Sequence, residues 1–118
     1  MGQARPSASV ENVGGSDYAV MAKEILSVAV FEPHAGKEEE CLDAVRELAR
    51  ILAAKQYSRD RLYRDSAEAH RYVLARYWAS DSARREALED PAALRCWARL
   101  AELINIIKVY ESLEDVEL

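Results

Sequence analysis

The sequence predicts an α+β fold: one antiparallel sheet of four strands with helices packed on one of its faces. Three observations carry that prediction. The apolar patterns run in the order strand, long helix, two strands joined by a short turn, broken helix, strand. The middle pair alternates large and polar residues, as the strands of a half-buried hairpin do. The first and last strands, residues 25–31 and 104–109, are instead apolar on both sides, the pattern of strands covered on both faces.

Residues 1–20 mix Gly, Ser, Pro, Asn and isolated charges without period, so they are expected to form a disordered extension, with the folded domain spanning residues 21–118. Met21 is itself an alternative start for that domain. The first strand ends at Pro33-His34-Ala35-Gly36, and a helix is expected over residues 37–55. Cys41, Val45, Leu48 and Leu52 fall at spacings of four, three and four, which aligns them on one side of it. Glu38, Glu39 and Glu40 crowd its first turn, where the helix dipole favours carboxylates.

Strands are expected over residues 57–64 and 70–78. In the second of them Tyr72, Leu74, Arg76 and Trp78 share one face, and Arg71, Val73, Ala75 and Tyr77 share the other. The five residues from Asp65 to Ala69 close the hairpin. Ser80 or Asp81 can cap a helix reaching about Leu88, and Asp90-Pro91 restarts one, because Asp caps well and proline suits a first turn. Leu94, Trp97, Leu100 and Ala101 are expected to form the apolar side of that second piece. The final strand gives way to an acidic end, Glu114-Asp115-Val116-Glu117-Leu118, expected to be poorly ordered.

The 118 residues suit one domain, and a formal net charge of −5 without a basic run makes nucleic acid an unexpected partner. No run approaches the ~20 apolar residues of a membrane span and the chain does not open on an apolar leader, so no membrane is expected and the cytoplasm is the expected location. Cys41 and Cys96 lie in helix-like segments with no Cys-x-x-Cys pair or Cys/His cluster, which predicts buried, reduced thiols and no metal site. There is no Gly-rich phosphate loop and no serine elbow, which disfavours nucleotide cofactors and acyl-enzyme chemistry.

A strand-helix-strand-strand-helix-strand order is the split βαβ, ferredoxin-like arrangement, whose sheet has helices on one face only. Because the outer strands are apolar on both sides, the bare face is expected to be buried against a second copy of the chain, giving a homodimer. Residues 22–113 resemble the antibiotic biosynthesis monooxygenase family of dimeric α+β barrels. The resemblance rests on the first strand running into Phe31-Glu32-Pro33-His34-Ala35-Gly36-Lys37, on Leu62-Tyr63-Arg64-Asp65, and on Tyr72-Val73-Leu74-Ala75-Arg76-Tyr77-Trp78-Ala79-Ser80. Asp90-Pro91 and the final Tyr110-Glu111 complete it. It implies a cavity between sheet and helices in each subunit, in which some members oxidise aromatic polyketides without a cofactor and others degrade haem. Trp78 is the site position it carries over. The haem-degrading branch resembles a pattern with Asn in strand one and His in the second helix, and neither is present here, so haem degradation is not expected.

Cofactor-free oxygenation needs a base, a pocket that stabilises a carbanion, and exclusion of water. His34 and His70 are the side chains whose ordinary titration lies near neutrality, and so are the candidate catalytic bases, although both could equally be loop-end residues. Trp78, Tyr72, Tyr63 and Trp97 are candidate walls for a small aromatic or apolar ligand, with core packing as the alternative for each. Arg76, within a cluster of hairpin arginines, is a candidate to bind a planar oxyanion; the alternative is that these arginines pair with Asp60, Asp65 and the first-helix glutamates. No cofactor is expected. Whether the protein is an enzyme is left open by the sequence, the other reading being a non-catalytic ligand-sensing or structural barrel.

Overall fold

The computed structural model describes residues 25–118, so the expectation for residues 1–20 falls outside the described residues. The elements are β1 (Ile25–Pro33), α1 (Glu38–Ala54), β2 (Ser58–Arg64), β3 (Tyr72–Trp78), α2 (Asp81–Ala87), α3 (Pro91–Ala101) and β4 (Ile104–Leu113). The strands form one antiparallel sheet in the order β2-β3-β1-β4, the ferredoxin-like arrangement.

Local chemistry sets most of the boundaries. A turn at His34–Lys37, closed by the Lys37 amide donating to the His34 carbonyl at 2.9 Å, places Gly36 at φ 78°, a left-handed conformation that glycine adopts without steric cost. Lys37 makes no side-chain cap for α1, and the three glutamates of its first turn act on the helix dipole instead. Ser80 caps α2 by accepting from the Ala83 amide at 3.0 Å. Asp90 caps α3 through the Ala92 and Ala93 amides, and its other carboxylate oxygen accepts from Lys55 and from the Tyr57 hydroxyl, tying the end of α1 to the start of α3.

The register fixes which side chains share a face. Ile25, Ser27, Ala29 and Phe31 of β1 stand opposite Trp78, Arg76, Leu74 and Tyr72 of β3, which in turn stand opposite Ser58, Asp60, Leu62 and Arg64 of β2. This side meets the helices: Phe31, Tyr72, Leu74 and Trp78 pack with Cys41, Ala44, Val45, Leu48 and Leu52 of α1 and with Ala93, Cys96 and Leu100 of α3. Full burial of Leu48 and Leu52 contributes about 1.5–3 kcal/mol each.

In α3 the apolar side differs from the sequence expectation. Ala93, Cys96, Trp97 and Leu100, at spacings of three, one and three, face inward, while Leu94 is 44% exposed and Ala101 is exposed. The packing of the helix on the sheet, not its start, sets that phase.

The opposite, outer side of the sheet carries Leu26, Val28 and Val30 of β1, Val73, Ala75 and Tyr77 of β3, and Arg59, Arg61 and Tyr63 of β2. No described residue covers it, and Leu26, Val28 and Val30 are half-buried rather than buried. On the edge strand β4, Ile106, Ile107 and Val109 are about half exposed. The last five residues are exposed and without regular structure.

Candidate functional site

A cavity of about 370 Å³ lies between the helix-facing side of the sheet and the paired short helices α2 and α3. Its floor is Ala29, Leu74 and Val109, its aromatic walls are Trp78 and Trp97, and Leu88 borders it from the end of α2. The polar groups of the lining are Ser27, Arg76, Arg84 and Glu111. The volume lies at the lower end of the roughly 300–1,000 Å³ typical of small-molecule pockets, and a mostly apolar wall with a few convergent polar groups is their usual make-up.

Strand alternation and two charge pairings build this end of the sheet. Asp60 of β2 stands directly opposite Arg76 of β3, and its carboxylate accepts from Arg76 Nε at 3.0 and 3.1 Å and from Nη2 at 2.8 Å. Both side chains are buried, with 9% and 3% of their surface exposed, so the pair is a buried, bidentate ion pair. The Arg76 guanidinium is held between two indoles, 5.5 Å from the ring centre of Trp78 and 5.7 Å from that of Trp97. Arg76 has five N–H donors, and among the described residues only Nε and Nη2 are hydrogen-bonded to protein. The remaining donors suit an oxygen acceptor on a ligand.

Ser27 completes the frame. Its hydroxyl accepts the Trp78 indole N–H at 2.9 Å and donates to the Glu111 carbonyl at 2.7 Å, bridging three strands. It does so where the β1–β4 register shifts between Leu26 and Val28, so a side-chain bond stands in for regular ladder pairing. The indole is thereby fixed in place with 4% of Trp78 exposed.

Of the residues singled out from sequence, the structure brings Trp78, Arg76 and Trp97 together around this cavity. Tyr72, although on the same face, lies at the other end of the sheet, six residues and about 20 Å along the strand, where it is sealed in. There its ring stacks on Phe31 with centroids 5.8 Å apart, its hydroxyl donates to the Glu38 carboxylate, and it accepts from Arg64 Nη2 at 2.8 Å. Burial and the Glu38 contact hold its phenol above the ordinary tyrosine range. Tyr63 points to the outer face and is half exposed. His34, half-buried in the loop after β1, and His70, exposed in the hairpin, both sit toward the Tyr72 end and neither lines the cavity.

The hairpin arginines follow the expected carboxylate pairing only in part. Arg76 pairs with Asp60 and Arg64 with Glu38, but Arg71 pairs with Glu32, and Asp65 accepts from the Ala67 and Glu68 amides of its own turn. Sequence reasoning did not single out Ser27, Arg84, Leu88 or Glu111 as lining. Period two would have placed Ser27 on the face of Ala29 and Phe31, a lone hydroxyl in an apolar strand, whereas Arg84, Leu88 and Glu111 carry no comparable local signal.

The described residues contain no cluster of His, Cys, Asp and Glu able to hold a metal ion, and no helix of theirs is long and apolar enough to cross a membrane. Cys41 and Cys96 are free and buried, and burial raises both thiols, Cys41 to about 11.

No curated protein matches the sequence. Among solved structures, SnoaB, a cofactor-independent oxygenase from Streptomyces nogalater, superposes with a TM-score of 0.65 at 23% identity, over 79% of this chain and 96% of that one. A Pseudomonas aeruginosa protein superposes with a TM-score of 0.65 at 19% identity, over 80% and 95%. A Mycobacterium tuberculosis protein does so at 0.64 and 18%, over 80% and 100%. These likenesses establish the shared fold. The model of the antibiotic biosynthesis monooxygenase family matches residues 25–99, which contain β1 through most of α3 and with them Ser27, Asp60, Arg76, Trp78 and Trp97. The chain therefore belongs to the antibiotic biosynthesis monooxygenase family.

Proposed function

We propose that this protein is a homodimer that binds a small, flat aromatic or otherwise apolar ligand bearing an oxygen acceptor in the cavity beside Trp78. The observation that carries this is the cavity's make-up: an apolar lining between two indoles, with a buried guanidinium whose hydrogen-bonding capacity is not consumed by its carboxylate partner. Stacking on Trp78 and Trp97 would hold the ring system, and Arg76 would donate to the ligand's oxygen. The homodimer is supported by the outer face, which no described residue covers and whose middle is Leu26, Val28, Val30, Val73, Ala75 and Tyr77.

A catalytic reading is favoured by the likeness to SnoaB, a cofactor-independent oxygenase. In that reading an ionised phenolic ligand reduces dioxygen directly: a ring CH2 becomes C=O, the second oxygen atom leaves as water, and the ligand supplies all the electrons. The carboxylate in the lining is Glu111, so the proton would go to Glu111 rather than to His34 or His70.

Thermal and chemical unfolding in the presence of hydroxyquinones, phenolic polycyclic compounds and haem tests the binding site. A ligand at 100 times its dissociation constant is expected to stabilise the protein by about 2.7 kcal/mol. Ala29→Leu, which fills the cavity floor without touching the charged pair, should abolish that gain. If Ala29→Leu leaves the gain intact, the ligand sits elsewhere and the reading fails.

A further inference from the structure

The cavity beside Trp78 holds two arginines in different electrostatic states. Arg76 shares its charge with Asp60, which accepts from Nε and Nη2, so what it offers a ligand is spare hydrogen-bond donors rather than a net charge. Arg84 of α2 also lines the cavity and is half-buried, yet among the described residues its side chain has no hydrogen bond, ion pair or ring contact. Asp81 lies one turn before it, but that carboxylate pairs with Arg85. Leu88 follows Arg84 by four residues, so the two share the side of the helix that borders the cavity.

The remaining charge in the lining is Glu111, on the exposed strand β4. Its carboxylate forms no ion pair with Arg84, and its exposure leaves it hydrated. A guanidinium half removed from water at an apolar cavity, with no carboxylate beside it, gains a charge-assisted hydrogen bond from any anion that a ligand carries in. A planar carboxylate fits the fork of a single guanidinium with two parallel hydrogen bonds. A dianionic phosphate would instead bring into a largely apolar space one more charge than Arg84 offsets. The two polar ends of the ligand are then unlike, a neutral or weakly acidic oxygen for Arg76 and a full anion for Arg84.

We propose that Arg84 selects the ligand: the cavity takes a flat aromatic carboxylic acid, with its carboxylate on Arg84, a phenolic or carbonyl oxygen on Arg76, and its ring system against Trp78 and Trp97. The role of Arg84 rests on the cavity proposed above as the binding site and narrows the class of molecule it takes from apolar aromatics to aromatic acids.

Matched probes test it by calorimetric titration at neutral pH: a hydroxynaphthoic acid with its two groups on opposite rings, the methyl ester of that acid, and the parent naphthol. The acid is expected to bind about tenfold more tightly than the ester, the order of gain from a hydrogen bond to a charged group at a half-buried site. That preference should shrink as salt is raised. Arg84→Met keeps an unbranched side chain and removes the charge, so it should erase the preference while leaving the ester and the naphthol unchanged. Arg84→Lys should keep part of it, because a lysine charge remains but the fork does not. An acid that binds no more tightly than the ester overturns the selection, and so does a preference that survives Arg84→Met. The cavity itself is judged separately: ester and naphthol that bind the unmodified protein and lose affinity in Ala29→Leu keep the cavity as the binding site whatever Arg84 does. If none of the three probes binds, the cavity reading fails, and the role of Arg84 falls with it.

Discussion

At the Tyr72 end of the helix-facing sheet a phenol, a carboxylate and a guanidinium satisfy one another, whereas at the Trp78 end comparable groups surround a cavity. Both ends offer a buried aromatic residue on the same strand and face, each with an arginine within 6 Å of its ring. The difference lies in the cover. At the Tyr72 end, the first turn of the 17-residue helix α1 brings Glu38 onto the tyrosine hydroxyl. Over Trp78 the cover comes in two short pieces, α2 and α3, and the space left beneath them is the cavity. An aromatic residue on a strand is therefore not by itself a sign of a ligand; a gap in the helical layer above it is what admits one.

The largest expected effect tests how dry the open end is. Asp60→Ala leaves the Arg76 charge buried without its partner and should cost about 3–5 kcal/mol in urea denaturation. The double variant Asp60→Leu with Arg76→Met removes both charges and should recover most of that loss. A cost for Asp60→Ala below about 1 kcal/mol would mean that Arg76 readily reaches water, and the contrast between the ends would lose its electrostatic part.

Trp78→Phe comes next. The structure gives Trp78 both roles that sequence reasoning set against each other, since it packs in the core with 4% exposure and also lines the cavity. Loss of indole volume and of the bond to Ser27 is expected to cost about 1–3 kcal/mol, and any cavity ligand should bind more weakly as well. Denaturation and ligand titration on the one variant check both halves; a stability loss with unchanged affinity would leave Trp78 as core alone.

Tyr72→Phe is expected to be milder, about 1 kcal/mol, because it removes hydrogen bonds to Glu38 and Arg64 that can both turn to water. Its stacking on Phe31 survives and cavity binding should be unchanged. An effect of Tyr72→Phe on ligand affinity would show that the two ends communicate.

Element order, the two faces of β3 and the caps at Ser80 and Asp90 were legible in the sequence, because period two, period 3.6 and capping chemistry are local. Trp78, Arg76 and Trp97 could be singled out for the same reason: large or charged residues at inward positions stand out. What local rules could not supply was distance along the sheet. Tyr72 and Trp78 share a face six residues apart, so alternation groups them, yet only the helical layer separates a sealed end from a hollow one. The phase of α3 was missed similarly, since Leu94 and Ala93 are adjacent and only the packing of the helix on the sheet decides which turns inward.

The smallest effect belongs to the sealed end and is read through pH. Cys41 is fully buried close to Glu38, and burial first, then the Glu38 charge, pushes its thiol up to about 11. An unfolded thiol ionises near ~8.5, so below that pH the neutral thiol is accommodated equally in both states and its contribution to stability is intact. As pH rises from about 8.5 towards 11 the unfolded chain releases this proton while the folded chain holds it, and stability falls across that window. The Tyr72 phenol, also raised, adds to the fall above pH ~10 by the same sign. No thiol or phenol lines the cavity itself, but the Tyr57 phenol and the Cys96 thiol are also raised, chiefly by burial, and add to the fall in any variant that keeps them. Cys41→Ala, though less stable at pH 7 for want of the sulfur's packing, should lose less between pH 8 and 11 than the unmodified protein in denaturation series at fixed temperature. Parallel curves for the two proteins would show that Cys41 ionises as easily folded as unfolded, and that this end is open to water after all.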